Sequence, residues 1–290
     1  MFHLFLPQMR MSHEAIVARA RAAETAGFEG IAFMDHLAPP LAAEHEMWEA
    51  MSIAGWVLAH TTDLVVSHLV LCDSLRHPAV LARQVTSLDH ASGGRFELGI
   101  GWGSVPAELG TFGVGSTEAP VRVGRLAESL DILRGLWSGE PVDHEGEHFT
   151  LVAAQQRPVP TRPIPITVGG VGTRTLALVR EHADWWNVPV HRLDDLDRLR
   201  EQAGDARVSV QVPVALLGDE RERSAVTEVV QRRFGRRPMG GRLVVGTAPE
   251  LAEHFAAQRA RGVERFYAWF IADFAPVETL HAFADVIRAV

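Results

Sequence analysis

The feature that most constrains this chain is a rhythm. Short apolar runs alternate with amphipathic helical stretches almost from end to end. Phe2 to Leu6 is the first run; Ser12 can then cap a helix carrying Ile16, Ala20 and Ala23 on one side, with Gly27 as its stop. Glu29 to Met34 reads as a second strand ending at Asp35-His36, and a Pro39-Pro40 loop leads to a helix over Glu46 to His60. Leu64 to Leu71 has the continuous apolar look of a strand buried on both faces. Pro78 suits the first position of a helix carrying Leu81, Val85 and Leu88, and Arg95 to Gly101 is a fourth strand. Leu126, Leu130, Leu133 and Trp137 mark one helical face. Strands follow at Pro165–Gly169, Ala183–Val188, Val208–Leu216 and Arg265–Phe270, with helices over Thr173–Ala183, Pro249–Arg261 and Val277–Val290.

Eight buried-type strands, each followed by a helix, predict an α/β fold closed into a parallel TIM (β/α)8 barrel. The competing open, doubly wound sheet lacks its usual Gly-x-Gly-x-x-Gly after the first strand. Two segments break the rhythm: 139–163, rich in glycine and proline, reads as an insertion or hairpin, and 219–243 as a charge-rich helical excursion. Residues 1–290 are therefore expected to form one barrel domain.

Composition narrows the function. At 290 residues and 47% apolar, the chain can bury a core without metal or disulfide staples. The formal charge of −8 lacks the basic footprint of a nucleic-acid binder. Every basic residue is arginine, so lysine Schiff-base chemistry is closed to these side chains. Cys72 is the single cysteine, which excludes an internal disulfide and a cysteine-rich zinc cluster. The first apolar run has no basic residues ahead of it and stops at Pro7, so it reads as a strand rather than a signal peptide. No stretch approaches the ~18 apolar residues of a membrane span. A soluble cytoplasmic protein with no nucleic-acid or membrane partner is the expectation.

Barrel chemistry gathers at the carboxyl ends of strands. Strand two ends in Asp35-His36, where a carboxylate beside an imidazole can bind a polar edge and move a proton near neutral pH; a turn-capping Asp beside a solvated His is the plain alternative. Strand four ends in Gly101-Trp102-Gly103-Ser104, glycines that would let a flat ligand approach the backbone, or simply make a tight turn. Strand five runs into Gly169-Gly170-Val171-Gly172-Thr173-Arg174 at a helix start, where main-chain N–H groups, a hydroxyl and a guanidinium suit an anion. His144 and His148 are expected to lie exposed on the insertion, and no His-Glu-x-x-His is present, so no metal is expected. Trp185, Trp186 and Trp269 read as barrel packing.

Five blocks resemble the bacterial-luciferase-like flavin and deazaflavin oxidoreductases. They are RAAETAGFEGIAFMDHL (21–37), LVLCDSLRHPAVLARQVTSLDHASGGRFELGIGWG (69–103), ESLDILRGLWSGEPVDHEGEHF (128–149), PIPITVGGVGTRTLALVREHADWWN (163–187) and VVGTAPELAEHFAAQRARGVERF (244–266). The resemblance implies a TIM-like barrel with a flavin-type ring at its strand ends. Asp-His after strand two resembles the branch that uses coenzyme F420, an 8-hydroxy-5-deazaflavin; the FMN branch more often carries Glu-His-His there. The resemblance implies that Asp35 contacts the ring region, that His36 is the catalytic proton donor or acceptor, and that a non-proline cis peptide at Leu69–Val70 supports the ring. It further implies that Gly101, Trp102 and Gly103 lie near the cofactor side chain and that Gly169, Gly170, Val171, Gly172, Thr173 and Arg174 hold its phosphate. Arg76, Arg174, Arg157 and Arg162 are candidates for an electropositive approach. Ser104 and Pro40 stand where the sugar-phosphate dehydrogenase branch has glutamate and tryptophan, so that activity is not assigned. His68 either faces the ring or packs.

Hydride transfer between F420 and a small organic substrate is the leading expectation. The alternatives are an FMN-dependent monooxygenase supplied with reduced flavin by a separate reductase, and a flavin-binding protein without catalysis. A homodimer through barrel helices is compatible with the resemblance.

Overall fold

The computed structural model describes residues 1–40, 42–235 and 242–290. Its strands are β1 (Phe2–Phe5), β2 (Gly30–Phe33), β3 (Val65–His68), β4 (Leu71–Cys72), β5 (Leu98–Gly101), β6 (Val142–Glu145), β7 (Thr150–Ala154), β8 (Ile166–Gly169), β9 (Trp185–Val188), β10 (Arg207–Leu216), β11 (Val244–Gly246) and β12 (Val263–Phe270). The helices are α1 (His13–Ala26), α2 (Ala50–His60), α3 (Pro78–Ser92), α4 (Pro106–Phe112), α5 (Ala119–Trp137), α6 (Thr173–His182), α7 (Leu196–Ala203), α8 (Arg223–Phe234), α9 (Ala248–Ala260) and α10 (Val277–Ala289).

The main sheet runs β3-β2-β1-β12-β10-β9-β8-β5-β4, with every neighbouring pair parallel. β3 and β4 are two halves of the third strand, separated by a break at the Leu69–Val70 peptide, which is cis as expected. Val66 also bridges to Phe96 just before β5, so the sheet returns to its start and closes as a TIM barrel. The open-sheet alternative is thereby excluded. Among the differences from the sequence expectation, the single third strand is split, the short α4 is new, α7 fills a stretch to which no helix range was assigned, and β11 adds an edge to β10.

Local signals act as anticipated. Ser12 Oγ accepts the Ala15 N–H at 3.2 Å and Gly27 ends α1 with φ +93°. Pro78 opens α3 and Gly93 closes it in the left-handed region. Segment 139–163 carries the antiparallel β6–β7 hairpin. Its His144 and His148 are not exposed as expected: the Glu128 carboxylate of α5 accepts from His144 Nε2 at 3.1 Å and from the main-chain N–H groups of Glu147, His148 and Phe149, drawing both rings against α5. α8 falls within the expected excursion; residues 236–241 of it lie outside the described residues.

The two faces of β12 show how the core divides. Phe266 and Phe270 point outward, where Phe266 meets Phe2 and Phe255 and Phe270 meets Phe283, in the apolar layer between strands and helices. Each such ring, fully buried, contributes roughly 1.5–3 kcal/mol. Arg265, Tyr267 and Trp269 point inward. At the barrel floor Arg265 forms a two-pronged pair with Glu97 at 2.6 and 3.2 Å and lies 3.8 Å from the Trp185 ring centroid. Burial, with Arg265 nearby, holds the His3 imidazole well below its ordinary pKa. A layer of Phe5, Ala32 and Tyr267 sits above, so the barrel is plugged from below and any ligand must enter at the strand carboxyl ends.

Candidate active site

At that end lies a cavity of about 440 Å³. It brings together Asp35, His36, Leu69, Val70, Gly101, Trp102, Gly103, Gly169 and Gly170 from the expected set. Val171, Gly172, Thr173 and Arg174 do not line it. They form the turn into α6, with the last three exposed to solvent.

His36 is held by a residue that the sequence reading missed. Glu108, on α4, accepts from His36 Nδ1 at 3.0 Å and from the N–H groups of Leu37 and Ala38 at 2.6 and 3.0 Å. A carboxylate with three donors around it fixes the neutral ring as the Nδ1–H tautomer, leaving Nε2 with a lone pair available for a proton. The signal for α4 was present but brief: Pro106 at a helix start, Glu108 in the first turn and Gly113 at the stop, over seven residues.

Asp35 is adjacent to His36 but differently employed. Its Oδ2 accepts from Cys72 N at 2.8 Å and Arg76 Nη1 at 2.6 Å, and its Oδ1 from Arg76 Nη2 at 3.0 Å. Arg76 also donates to Glu49 at 2.6 Å. Burial opposes ionisation of Glu49, but the Ser52 N–H and Arg76 outweigh it and hold the carboxyl down to about 2. Asp35 therefore spends its charge tying strand two to the third-strand break. Arg76 is consumed in the same knot, which corrects its expected place in an electropositive approach. Arg162 is also excluded from that role, because it donates to Gly94 and Phe96 carbonyls at the start of β5, on the floor side.

The strand-four glycines have a structural explanation. A Cβ on Gly99 would lie 1.8 Å from the His68 carbonyl oxygen, and one on Gly101 would lie 2.8 Å from Val70 Cγ2. Both positions are occupied by the third-strand break, and Gly101 still presents its bare edge to the cavity. Gly169 is different: a Cβ there would find only ordinary contacts, at 3.9 Å. His68 packs rather than facing the cavity; Nε2 meets the Ala50 carbonyl at 3.1 Å, and burial pulls its pKa down to about 4. Burial likewise pushes the Cys72 thiol up to about 11, so this cavity residue is a poor nucleophile at neutral pH.

Toward α6, the Gly170 N–H is not free for an anion, since it donates to Asn187 O at 3.2 Å. The groups left for that purpose are the first-turn N–H groups of α6 and Arg174. Arg122 of α5, also missed by the sequence reading, is buried beside them. It donates to Gly103 O at 2.9 Å and lies 4.8 Å from the Trp102 ring, whose Nε1 donates to Thr175 Oγ1 at 3.3 Å. On the opposite side, a second cavity of about 290 Å³ shares Asn187, Pro189 and Gln211 with the first and is closed by Pro213 and Trp269. Trp269 is thus a cavity wall rather than plain packing. Among the described residues, the one cluster of His with carboxylates close enough to share an ion is Asp131, Glu181 and His182, which lies between α5 and α6 away from this mouth.

A family model for luciferase-like monooxygenases matches residues 1–264. The chain belongs to that family. Curated relatives of this luciferase-like protein include an F420-dependent hydroxymycolic acid dehydrogenase of Mycobacterium tuberculosis (strain ATCC 25618 / H37Rv), 32% identical over 218 residues covering 71% of this chain and 59% of that protein. Another is an F420-dependent glucose-6-phosphate dehydrogenase of Microbacterium testaceum (strain StLB037), 32% identical over 163 residues, 56% of this chain and 48% of that one. The chain thus spans about half to three-fifths of the length of these two relatives. Among solved structures, an F420-dependent secondary alcohol dehydrogenase holding an F420-acetone adduct superposes with a TM-score of 0.82 at 20% identity, covering 100% of this chain and 98% of that one. The monooxygenase RslO1 from Streptomyces bottropensis superposes with a TM-score of 0.81 at 18% identity over 99% and 98% of the two chains. At those identities the structural likeness speaks for the barrel alone.

Proposed function

We propose that this luciferase-like protein is an F420-dependent oxidoreductase that moves a hydride between the deazaflavin and a small organic substrate, with residues 1–290 acting as one barrel domain. The observation that carries the reading is His36. Its imidazole is fastened at Nδ1 by Glu108, while Nε2 is left for a proton at a cavity to which Gly101, Gly103, Gly169 and Gly170 give part of the wall. The F420-dependent dehydrogenases among its relatives support the same choice of cofactor.

The residues fit such a group. Leu69, Val70 and the bare edges of Gly101 and Gly169 leave a flat wall for a planar ring. The α6 amides, Thr173 and Arg174 suit its anionic tail, and Trp102 and Gly103 lie beside that path. Asp35 acts as a positioning residue, securing the ring's supporting strand through Cys72 N and Arg76. When bound, a deazaflavin accepts or donates two electrons as hydride at C5 and lacks the nitrogen that supports oxygen chemistry. The chain's own part is to exclude water, hold the reacting carbons about 3–3.5 Å apart, and pass the accompanying proton through His36 Nε2.

The test is a paired fluorescence titration with F420 and FMN, followed by a hydride-acceptor screen using wild type and His36→Ala. The expectation is tight F420 binding, no oxygen uptake, and turnover that falls roughly 10²- to 10⁴-fold in the variant at saturating F420. Oxygen consumption with reduced FMN would instead establish the monooxygenase reading and its need for a partner reductase. F420 binding without turnover of any acceptor would leave a carrier protein.

A further inference from the structure

Among the described residues, one group of side chains outside the active site brings enough ligand atoms together to hold a metal ion. It lies where the last turn of α6 meets α5, and it consists of His182, its neighbour Glu181, and Asp131. The His182 side chain is only 7% exposed, and its ring makes no hydrogen bond among the described residues. Its Nε2 faces Asp131 Oδ1 at 3.8 Å and Glu181 Oε2 at 3.7 Å. Both carboxylates are solvent-exposed and have no hydrogen bond or other ion pair among the same residues. A buried imidazole therefore turns its nitrogen toward two uncommitted acids without bonding to either.

The spacing separates two kinds of contact. It is too wide for a hydrogen bond, which needs about 2.7–3.2 Å, and close to that of ligands around one ion. Zn–N and Zn–O bonds of about 2.1 Å set tetrahedral ligands about 3.4 Å apart, so each oxygen has about 0.3–0.4 Å to close. The three ligand atoms all lie within 4.8 Å of one another, and the two exposed carboxylates are free to rotate inward. Charge agrees with geometry. Arg134, one turn along α5 from Asp131, is spent on the His182 carbonyl at 2.8 Å and on Asp184 Oδ2 at 3.4 Å, which leaves Asp131 and Glu181 to the imidazole. His182 also closes α6, so a cation beside it meets the negative end of that helix dipole.

We propose that Asp131, Glu181 and His182 bind one divalent transition-metal ion of the Zn²⁺ class, which clasps the end of α6 to α5. One nitrogen and two oxygens suit a borderline cation such as Zn²⁺, with water completing its tetrahedron. Mg²⁺ and Ca²⁺ favour oxygen ligands and are discriminated against by the imidazole. No short motif announces the site, because Asp131 and His182 stand on different helices some fifty residues apart. The clasp is independent of the oxidoreductase reading and shares no residue with it.

The test is calorimetric titration of the EDTA-stripped, dialysed protein with Zn²⁺ and with Mg²⁺, beside thermal melts with and without each ion. The expectation is one Zn²⁺ per chain, with Mg²⁺ roughly a hundredfold weaker or more, and a Tm that rises with Zn²⁺ because the ion binds only the folded arrangement. Asp131→Asn and Glu181→Gln alter exposed side chains, so their metal-free melts should match wild type. Each should weaken Zn²⁺ by roughly tenfold or more and shrink the rise in Tm. His182→Gln should abolish stoichiometric binding. Wild type without stoichiometric Zn²⁺ binding, Mg²⁺ bound as tightly as Zn²⁺, Zn²⁺ affinity unchanged in Asp131→Asn and Glu181→Gln, or a Tm that Zn²⁺ leaves unmoved would overturn the proposal.

Discussion

Three glycines, two at the cavity wall and Gly99 just below it, make a graded experiment, because the room for a Cβ differs at each. At Gly99 it would sit 1.8 Å from the His68 carbonyl oxygen, and since real Cβ contacts essentially never fall below 3.0 Å, the two strands must part by at least 3.0 − 1.8 = 1.2 Å. The obstacle is backbone on both sides. Overpacking of a fitted core costs roughly 1–3 kcal/mol, more where relaxation is blocked, so Gly99→Ala is expected to cost about 3 kcal/mol. At about 2 °C per kcal/mol for a chain of this size, that is roughly 6 °C in Tm. F420 affinity should fall at least tenfold, because the displaced strand is the proposed ring support. At Gly101 the clash, 2.8 Å, is with a side-chain methyl of Val70, and about 1 kcal/mol is expected. At Gly169 the contacts are ordinary and φ is not in the left-handed region, so Gly169→Ala should leave Tm unchanged or slightly raised. It should nevertheless weaken F420, because the new methyl stands in the cavity. Thermal melts of the three variants beside F420 titrations decide the matter. A Gly99→Ala protein melting within 2 °C of wild type, or Gly169→Ala as the least stable of the three, would refute the reasoning.

Other perturbations reach the same site from different sides. Glu108→Ala removes the acceptor for His36 and two main-chain N–H groups; at roughly 1.5–3 kcal/mol for a charge-assisted hydrogen bond, kcat should fall about ten- to a hundredfold, and single-turnover kinetics would show whether the chemical step is affected. Asp35→Asn leaves the half-buried Arg76 with Glu49 alone as counter-charge; about 3 kcal/mol of stability should be lost in denaturant unfolding, since breaking a largely desolvated pair from one side costs on that order. Asp73, buried under α5 with Arg125 Nε 3.1 Å from its Oδ2, has its pKa raised to about 6, burial outweighing Ser129 and Arg125. A carboxyl whose folded pKa exceeds its unfolded value binds its proton more tightly when folded, so its contribution is greatest below about pH 4 and is lost as pH rises to about 6. The shift is worth about 3 kcal/mol. The Tm of Asp73→Asn relative to wild type should therefore climb by several degrees between those pH values, and a constant difference would contradict the assignment.

The barrel was legible because a buried parallel strand and an amphipathic helix leave different periods in a sequence, and eight alternations leave little choice of architecture. Asp35-His36 was visible as the polar end of an apolar run. What escaped was anything decided by contact between distant segments. Glu108 lies on a helix of seven residues, too short to establish a period, and its meaning comes from Leu37 and Ala38, some seventy residues earlier. Arg76 looked like a free cation because a sequence cannot show that Asp35 and Glu49 have claimed it. The strand-four glycines suggested a ligand, whereas much of their spare room belongs to His68 and Val70. Trp269 and Gln211 resembled ordinary strand residues until the inward face of β10 and β12 was fixed by the barrel's register.

The fit of Gly99 against the His68 carbonyl joins two stretches of chain that no local motif connects. Homologues are often recombined by swapping βα units, and a junction placed between residues 70 and 99 would take the protruding peptide from one parent and its socket from another. Such chimeras should fold well only when both parents share the same pairing, whereas junctions before residue 65 or after residue 101 inherit the joint intact.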